Sequence, residues 1–288
     1  MMDTDKIISP GNDESGFLSL GDDTFWQISG LDKNSVEAVS CLKNIMGLHD
    51  SSPGCNKQLI VYTNSNTDSK KNLTVNSPGT RFCDVDYSPD MDMLVLQLMK
   101  IAALLRQESE KKMGFLIHGA LAEYKGRGVI LAGRGGIGKT TAVGRLPETW
   151  TPLSDDLTLI VCDSNGSYMA HPWPTWSRFM FGGSGGSWNV NRNLPLAGVY
   201  FLKRGKTDGS VGIDRPEAVC RLVQSAEEAL LPITLRSEKY DSRDMRINRF
   251  NNIVTFTESV PAYILSFAEK GNFWQEIEKD IFRNKLLS

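Results

Sequence analysis

Gly133-Arg134-Gly135-Gly136-Ile137-Gly138-Lys139-Thr140 carries more information than the rest of the 288 residues together. It matches G-x-x-x-x-G-K-[ST], a loop whose backbone N–H groups converge on one anion. The glycines allow the tight curl that this convergence needs. In such a loop the lysine, here Lys139, reaches the β- and γ-phosphates, and the next hydroxyl, that of Thr140, holds Mg²⁺. The flanks suit the motif. Gly128 to Ala132 is a short apolar run with a β-branched pair and reads as a strand. Thr140 to Leu146 opens a helix, which sets the phosphate near a helix N-terminus. A glycine-rich turn that binds nothing is the alternative, and the order strand, loop, helix argues against it.

The composition, 40% hydrophobic and 23% charged, suits a chain that folds around a core, in one large domain or two small ones. A net charge of −2 argues against binding nucleic acid by blanket phosphate neutralisation. No apolar run reaches membrane-spanning length, so no membrane role is expected. Cys41, Cys55, Cys83, Cys162 and Cys220 are scattered, with no C-x-x-C pair. They read as reduced and mostly buried, which implies a cytoplasmic protein without a zinc site. Residues 1–16 are polar and acidic and read as a disordered tail.

Further along, Gly21-Asp22-Asp23 between Phe17–Leu20 and Thr24–Ile28 signals a hairpin. Val36 to Leu48 has helical spacing, Gln58 to Tyr62 reads as a strand, and Asn64 to Thr80 as an exposed loop. Asp90 to Lys112 is the longest helix, started by Ser88-Pro89-Asp90 and ending in a solvated QESEKK. Strands are expected over Phe115–Glu123, Leu153–Cys162, Tyr168–Ala170 and Leu196–Lys203. Helices are expected over Pro216–Leu230 and Phe273–Leu287. Gly182 to Ser187 (GGSGGS) reads as a flexible loop.

A second chemical signal is Asp155-Asp156, sixteen residues after Lys139. An acid pair in a β run is unusual, because Asp is a poor strand former. Two carboxylates there suit Mg²⁺ ligation by one and proton acceptance from an attacking hydroxyl by the other. A strand-edge acid pair without function is the alternative. Leu159-Ile160-Val161-Cys162-Asp163 competes as a Walker B strand, but Asp163 precedes Ser-Asn-Gly and reads as a turn residue. Of the three histidines, His118 sits among aliphatics, His171 precedes Pro172-Trp173-Pro174, and His49 follows a helix.

His-Gly in a strand, a hairpin, GRGGIGKT, a short helix and Ser154-Asp155-Asp156 together resemble the core of the HPr kinase/phosphorylase family. That core is akin to phosphoenolpyruvate carboxykinase. The family loop reads roughly GESGIGKS, five of whose eight positions recur here. The resemblance covers residues 112–176. Leu18, Leu20, Asp22, Trp26 and Ile28, together with HPWPTWSRF, LPLAGVYFLKRG and VPAYILSF, look closer to the divergent HPr-kinase-like proteins of peptide-modification cassettes. Those include SynChlorMet cassette protein ScmC and the lasso-peptide serine kinases. Arg134 and Gly135 depart from the family loop, and neither the family's signature stretch nor its basic loop is found. This puts HPr as substrate, reverse phosphorylase activity and a hexamer in doubt.

The resemblance implies an α/β fold with an HPr-kinase/PEP-carboxykinase-like P-loop core, a mixed or antiparallel central sheet and an N-terminal β-rich lobe. The lobe would span 17–88 and the core 89–288. It implies an ATP- and Mg²⁺-dependent serine kinase acting on a small protein or peptide. Gly133, Arg134, Gly135, Gly136, Ile137, Gly138, Lys139, Thr140 and Thr141 would contact the nucleotide. Thr140 and Asp156 would hold Mg²⁺, Asp155 would be the base, and His118 would lie near the γ-phosphate. Arg178 and Arg192 flank GGSGGS and could steady transferring charge, but a solvated arginine is the better account of each alone. Trp173 and Trp176 could form a peptide platform or simply pack. The alternatives are an NTPase using Asp163, and a non-catalytic nucleotide-sensing or peptide-binding subunit.

Overall fold

The computed structural model describes residues 15–51, 54–63, 79–86, 88–234 and 241–287. They form an α/β protein with two mixed sheets and six α-helices, divided into two compact units. One unit comprises the chain to Ser19, Thr24–Ala102 and Trp176–Ser187; the other comprises Leu20–Asp23, Ala103–Thr175 and Trp188–Ser288. The segment expected as a disordered tail lies outside the described residues up to position 14, and Ser15 already opens a strand.

The first unit holds a sheet in the order β1 (Ser15–Leu20), β2 (Thr24–Gly30), β3 (Lys57–Thr63), β4 (Thr80–Val85), with β2, β3 and β4 parallel. Helix α1 (Lys33–Met46) makes the crossover from β2 to β3. Its start is fixed by a capping box. The Asp32 carboxylate accepts from Ser35 N at 3.0 Å, and the Ser35 hydroxyl accepts from Asp32 N at 2.9 Å. Its end is fixed by Gly47 in the left-handed region at φ 60°. Ala38, Val39, Leu42 and Met46 form its buried stripe. Strand β4 was not anticipated, since only Cys83 and Val85 of its six residues are buried. The loop expected over 64–80 lies outside the described residues as far as 78.

Helix α2 (Met91–Glu110) starts where expected, with the Asp90 carboxylate accepting from Met93 N at 3.0 Å. Its end is not the solvated tail expected of QESEKK: Glu108, Ser109 and Glu110 are buried. The reason is a charge network. The Glu110 carboxylate accepts from Arg106 and from Arg249 Nε at 3.0 Å, and Arg249 also pairs with Asp241. Asn252 of helix α5 (Arg243–Phe256) donates to the backbone oxygens of Glu110 and Gly114.

The second unit is built on eight strands: β5 (Phe115–Tyr124), β6 (Arg127–Ala132), β7 (Trp150–Ser154), β8 (Leu157–Cys162), β9 (Tyr168–Trp173), β10 (Leu194–Arg204), β11 (Gly209–Gly212) and β12 (Ala262–Phe267). Their order is β11-β12-β10-β6-β5-β8-β9, with β7 beside β5. Strands β6, β10 and β12 are parallel and the other pairings antiparallel; the start of β10 also pairs with β9. Side chains alternate between two cores. Ile117, Leu121, Ile130 and Phe201 pack with α4 (Arg215–Thr234) and α5 on one face. Ala120, Leu131, Tyr200 and Leu202 pack with α3 (Lys139–Gly144) and α6 (Trp274–Leu287) on the other.

Two further expectations need correction, and one helix has no counterpart among them. The strand over Leu153–Cys162 is broken into β7 and β8 by a bend at Asp155-Asp156. Helix α5, rich in Arg and Asn, had no amphipathic signal strong enough to read. Only Cys83 and Cys162 of the five free cysteines are buried; Cys55 and Cys220 are exposed.

Candidate active site

The site forms where β6 ends. Gly119 pairs with Ala132 across β5 and β6, so continuing the register one residue sets His118 opposite Gly133. On its other side β5 pairs with both β7 and β8. Leu121 faces Ser154 and His118 faces Leu157, leaving Asp155-Asp156 in the gap. Hydroxyls replace the ladder hydrogen bonds lost there. Ser154 Oγ accepts from Leu121 N at 3.1 Å, and Thr158 Oγ1 donates to Gly119 O at 2.8 Å. The bend is therefore held without a continuous strand, and it turns the acid pair out of the ladder.

The glycine-rich loop uses its glycines where only glycine is comfortable. Gly133, Gly136 and Gly138 have φ of 149°, 75° and 114°. A Cβ at Gly135 or Gly136 would meet nothing within 4 Å, so the space over the loop is open. Helix α3 follows directly but is only six residues long, so the loop amides rather than a macrodipole dominate here. Arg204 braces the loop from β10, donating to the Ile137 and Gly136 oxygens at 3.2 Å each. Arg134 and Thr140 are exposed, as is Thr141.

Lys139 is buried at 6% exposure, and its Nζ donates to Gly133 O at 2.9 Å. Burial pushes its pKa down, against the opposing pull of Asp156 and Glu228. His118 Nε2 lies 2.7 Å from Asp156 Oδ1, and its Nδ1 lies 3.0 Å from Glu228 Oε2. The bond to Asp156 raises the His118 pKa, burial lowers it, and Glu228 adds to the rise, for a net increase. Burial alone would raise Asp156. The hydrogen bond from His118 and the charges of His118 and Lys139 overcome it and hold the carboxyl below its ordinary range. Both ring nitrogens face carboxylate oxygens, an arrangement that favours the protonated ring, in which both nitrogens can donate.

The structure thus brings His118, Lys139 and Asp156 together. Asp155 turns elsewhere: its Oδ1 accepts from the buried Thr175 hydroxyl at 3.0 Å. Asp163 organises the β8–β9 turn, its carboxylate accepting from Asn165 N at 2.9 Å and Ser167 N at 2.7 Å. It lies at the opposite end of β8 from Asp156, about 20 Å along an extended strand. His171 is fully buried in β9, and Trp173 and Trp176 are buried as well, so the aromatic stretch packs rather than forming an open platform. Arg192 is paired with Glu123.

Two charged residues went unread in the sequence. Arg204 ends a strand as an ordinary surface arginine would. Glu228 follows Glu227 in a helix, and nothing local separates the partly buried acid from its exposed neighbour. On α4 it shares a face with Arg221, Gln224 and Ser225. These four line a cleft of about 210 Å³ with Gly133 and Arg134 of the loop.

The sequence profile of SynChlorMet cassette protein ScmC matches residues 81–283, more than two thirds of the chain. The chain belongs to the ScmC family. The match takes in β4 from Arg81, the glycine-rich loop, the acid pair and all of α4. No curated protein matches the chain. Among solved structures, it is similar to the Hpr(Ser) kinase/phosphatase from Coxiella burnetii. The two are 11% identical over 60% of this chain and 96% of that one, with a TM-score of 0.28. A likeness that low carries no argument about this chain. Among the described residues no helix is long and apolar enough to cross a membrane, and no group of three or more His, Cys, Asp and Glu could hold a metal by itself.

Proposed function

We propose that this ScmC-family protein transfers a phosphoryl group from ATP, with Mg²⁺, to a serine hydroxyl of a small protein or peptide. The observation that carries the reading is Lys139. It follows a loop whose glycines hold backbone conformations other residues avoid, and it is buried beside an ionised Asp156. A buried lysine at the mouth of an open, amide-lined loop suits a polyanion better than it suits packing.

The residues fit the nucleotide and the metal. The backbone of Gly133, Arg134, Gly135, Gly136, Ile137 and Gly138 would cradle phosphates, with Lys139, Thr140 and Thr141 completing the contact. Thr140 and Asp156 would hold Mg²⁺, which needs few protein ligands when phosphates and water supply the rest. Bound Mg²⁺ would neutralise phosphate charge as it shifts toward the leaving oxygen. Lys139 shares that work as a fixed cation. Asp155, on Thr175 rather than on His118, would take the proton of the acceptor hydroxyl. His118 holds Asp156 in one orientation. Residues 89–288 would be the catalytic core and 17–88 an accessory lobe, working in the cytoplasm. The family's cassette name suits a peptide acceptor.

The test is incubation of the protein with γ-labelled ATP, Mg²⁺ and serine peptides. Label on the peptide, absent with Lys139→Ala and with Asp155→Asn, supports the reading. No label on any peptide, and no rise in melting temperature with ATP and Mg²⁺, would sink it.

A further inference from the structure

We propose that Glu228 is a positioning residue of this site, holding the His118 ring so that Nε2 can face only Asp156. The inference rests on the phosphoryl-transfer reading for its kinetic consequence, but its geometry stands apart from that reading.

The case begins with how Glu228 is itself held. Its Oε1 accepts from Gln224 Nε2 at 3.1 Å, one helical turn back, while Oε2 meets His118 Nδ1 at 3.0 Å. Both oxygens are engaged, so the side chain has one orientation. Helix α4 is also tied to the backbone of the same histidine, since Ser225 Oγ donates to His118 O at 3.0 Å. Positions 225 and 228 are adjacent on the helix face. One helix face therefore fixes both the main chain and the ring of His118.

A histidine ring bound at one nitrogen swings about its outer torsion, which is broad and roughly two-fold. Bound at both, it cannot. Asp156 Oδ1 then meets a ring nitrogen fixed at 2.7 Å. A carboxylate that must hold a metal benefits from that restraint in the same way as a ligand oriented by its outer partners. Glu228 also forms part of the wall of the cleft beside Gly133 and Arg134. It is nevertheless assigned no contact with substrate, and it acts through His118.

The experiment uses the full chain with ¹⁵N-labelled histidine and two variants, Glu228→Ala and Glu228→Gln. Gln keeps an acceptor at the same reach, and Ala does not. In the wild type His118 should show a slowly exchanging Nδ1–H. Glu228→Ala should lose it, and Glu228→Gln should keep it. With ATP and an acceptor peptide, Glu228→Ala should lower kcat by about 10- to 100-fold while the KM for ATP stays within about twofold. Glu228→Gln should recover most of the lost kcat. A persistent Nδ1–H in Glu228→Ala, or a wild-type kcat in that variant, would overturn the inference. So would a kcat loss in both variants that merely follows a fall in melting temperature. The NMR arm needs neither ATP nor acceptor. A wild type that transfers no phosphate would count against the kinase reading alone, and the Nδ1–H comparison would still decide whether Glu228 positions the ring.

Discussion

His118 Nε2 and Asp156 Oδ1 meet at 2.7 Å across the place where β5 loses its continuous partner strand. The two residues are 38 apart in sequence, and the pair exists because Ser154 and Thr158 close the ladder with hydroxyls on either side of the bend. It separates the members of the acid pair by environment. One carboxylate binds a histidine and feels a lysine, and the other binds a threonine.

The first prediction uses that separation. Asp155→Asn should lower the rate of transfer by orders of magnitude with ATP still bound. Asp156→Asn should instead raise the Mg²⁺ concentration needed for half-maximal activity. Asp163→Asn should be nearly silent, because Asn can accept the same turn hydrogen bonds. Steady-state rates at varied Mg²⁺ distinguish the three. A damaging Asp163→Asn beside a harmless Asp155→Asn would favour an NTPase built on the wrong end of β8.

The second concerns the buried charges at the end of α2. Glu110, Arg106 and Arg249 are each at most 3% exposed, with Glu110 between the two guanidinium groups. Glu110→Ala removes the carboxylate between two buried guanidinium groups, of which Arg249 keeps its pair with Asp241, and should cost about 3–5 kcal/mol. The urea midpoint should fall with no change in slope. A loss under about 1 kcal/mol would mean that the arginines reach water, against the burial described.

How much of this was legible depends on how local each feature is. The glycine-rich loop and its strand could be read because glycine, lysine and hydroxyl occupy fixed offsets in eight residues. His118 was flagged only through a resemblance, since by itself it looks like a packed core residue. The acid pair was noticed because Asp suits strands poorly, and the structure supplies the reason: it is not in a strand. Glu228 could not be found. Its partner lies 110 residues away, and its helix periodicity marks it as one more acid beside a solvent-facing one. QESEKK misled for the same reason, because the arginine that buries Glu110 comes from a helix 139 positions later.

The third prediction concerns Gly21. Its place in Gly21-Asp22-Asp23 suggests a turn glycine, yet the positive φ in that turn belongs to Asp23, at 59°. Gly21 is there for space: a Cβ on it would lie 2.8 Å from Met169 Cβ and 2.9 Å from its Cγ. Gly21→Ala should therefore destabilise by about 1–3 kcal/mol through overpacking. A melting temperature at or above wild type would show that the turn can move aside.

The last prediction concerns pH, and His171 supplies it. The ring is fully buried, with Nδ1 2.7 Å from Val190 O and Nε2 3.0 Å from Gly21 N. A carbonyl can only accept and an N–H can only donate. The ring is therefore the neutral tautomer with its proton on Nδ1. Burial pushes the pKa from 6.5 down to about 4, only partly offset by the bond to Val190 and the charge of Asp22. The sign follows from which state binds more protons. Between pH 6.5 and about 4 the unfolded chain protonates this histidine and the folded chain does not. The stability it confers is complete above pH 6.5 and drains away as pH falls toward 4. A shift of that size corresponds to about 3 kcal/mol. Protonation would also set a ring N–H against the Gly21 N–H, so the turn at Leu20–Asp23 should release with it. His171→Gln keeps one donor and one acceptor but never charges. Urea unfolding of both proteins between pH 7 and pH 4 should show the wild type losing about 3 kcal/mol more than the variant over that range. Parallel curves would mean that His171 is protonated in the folded state or reaches solvent, and the turn would need another anchor.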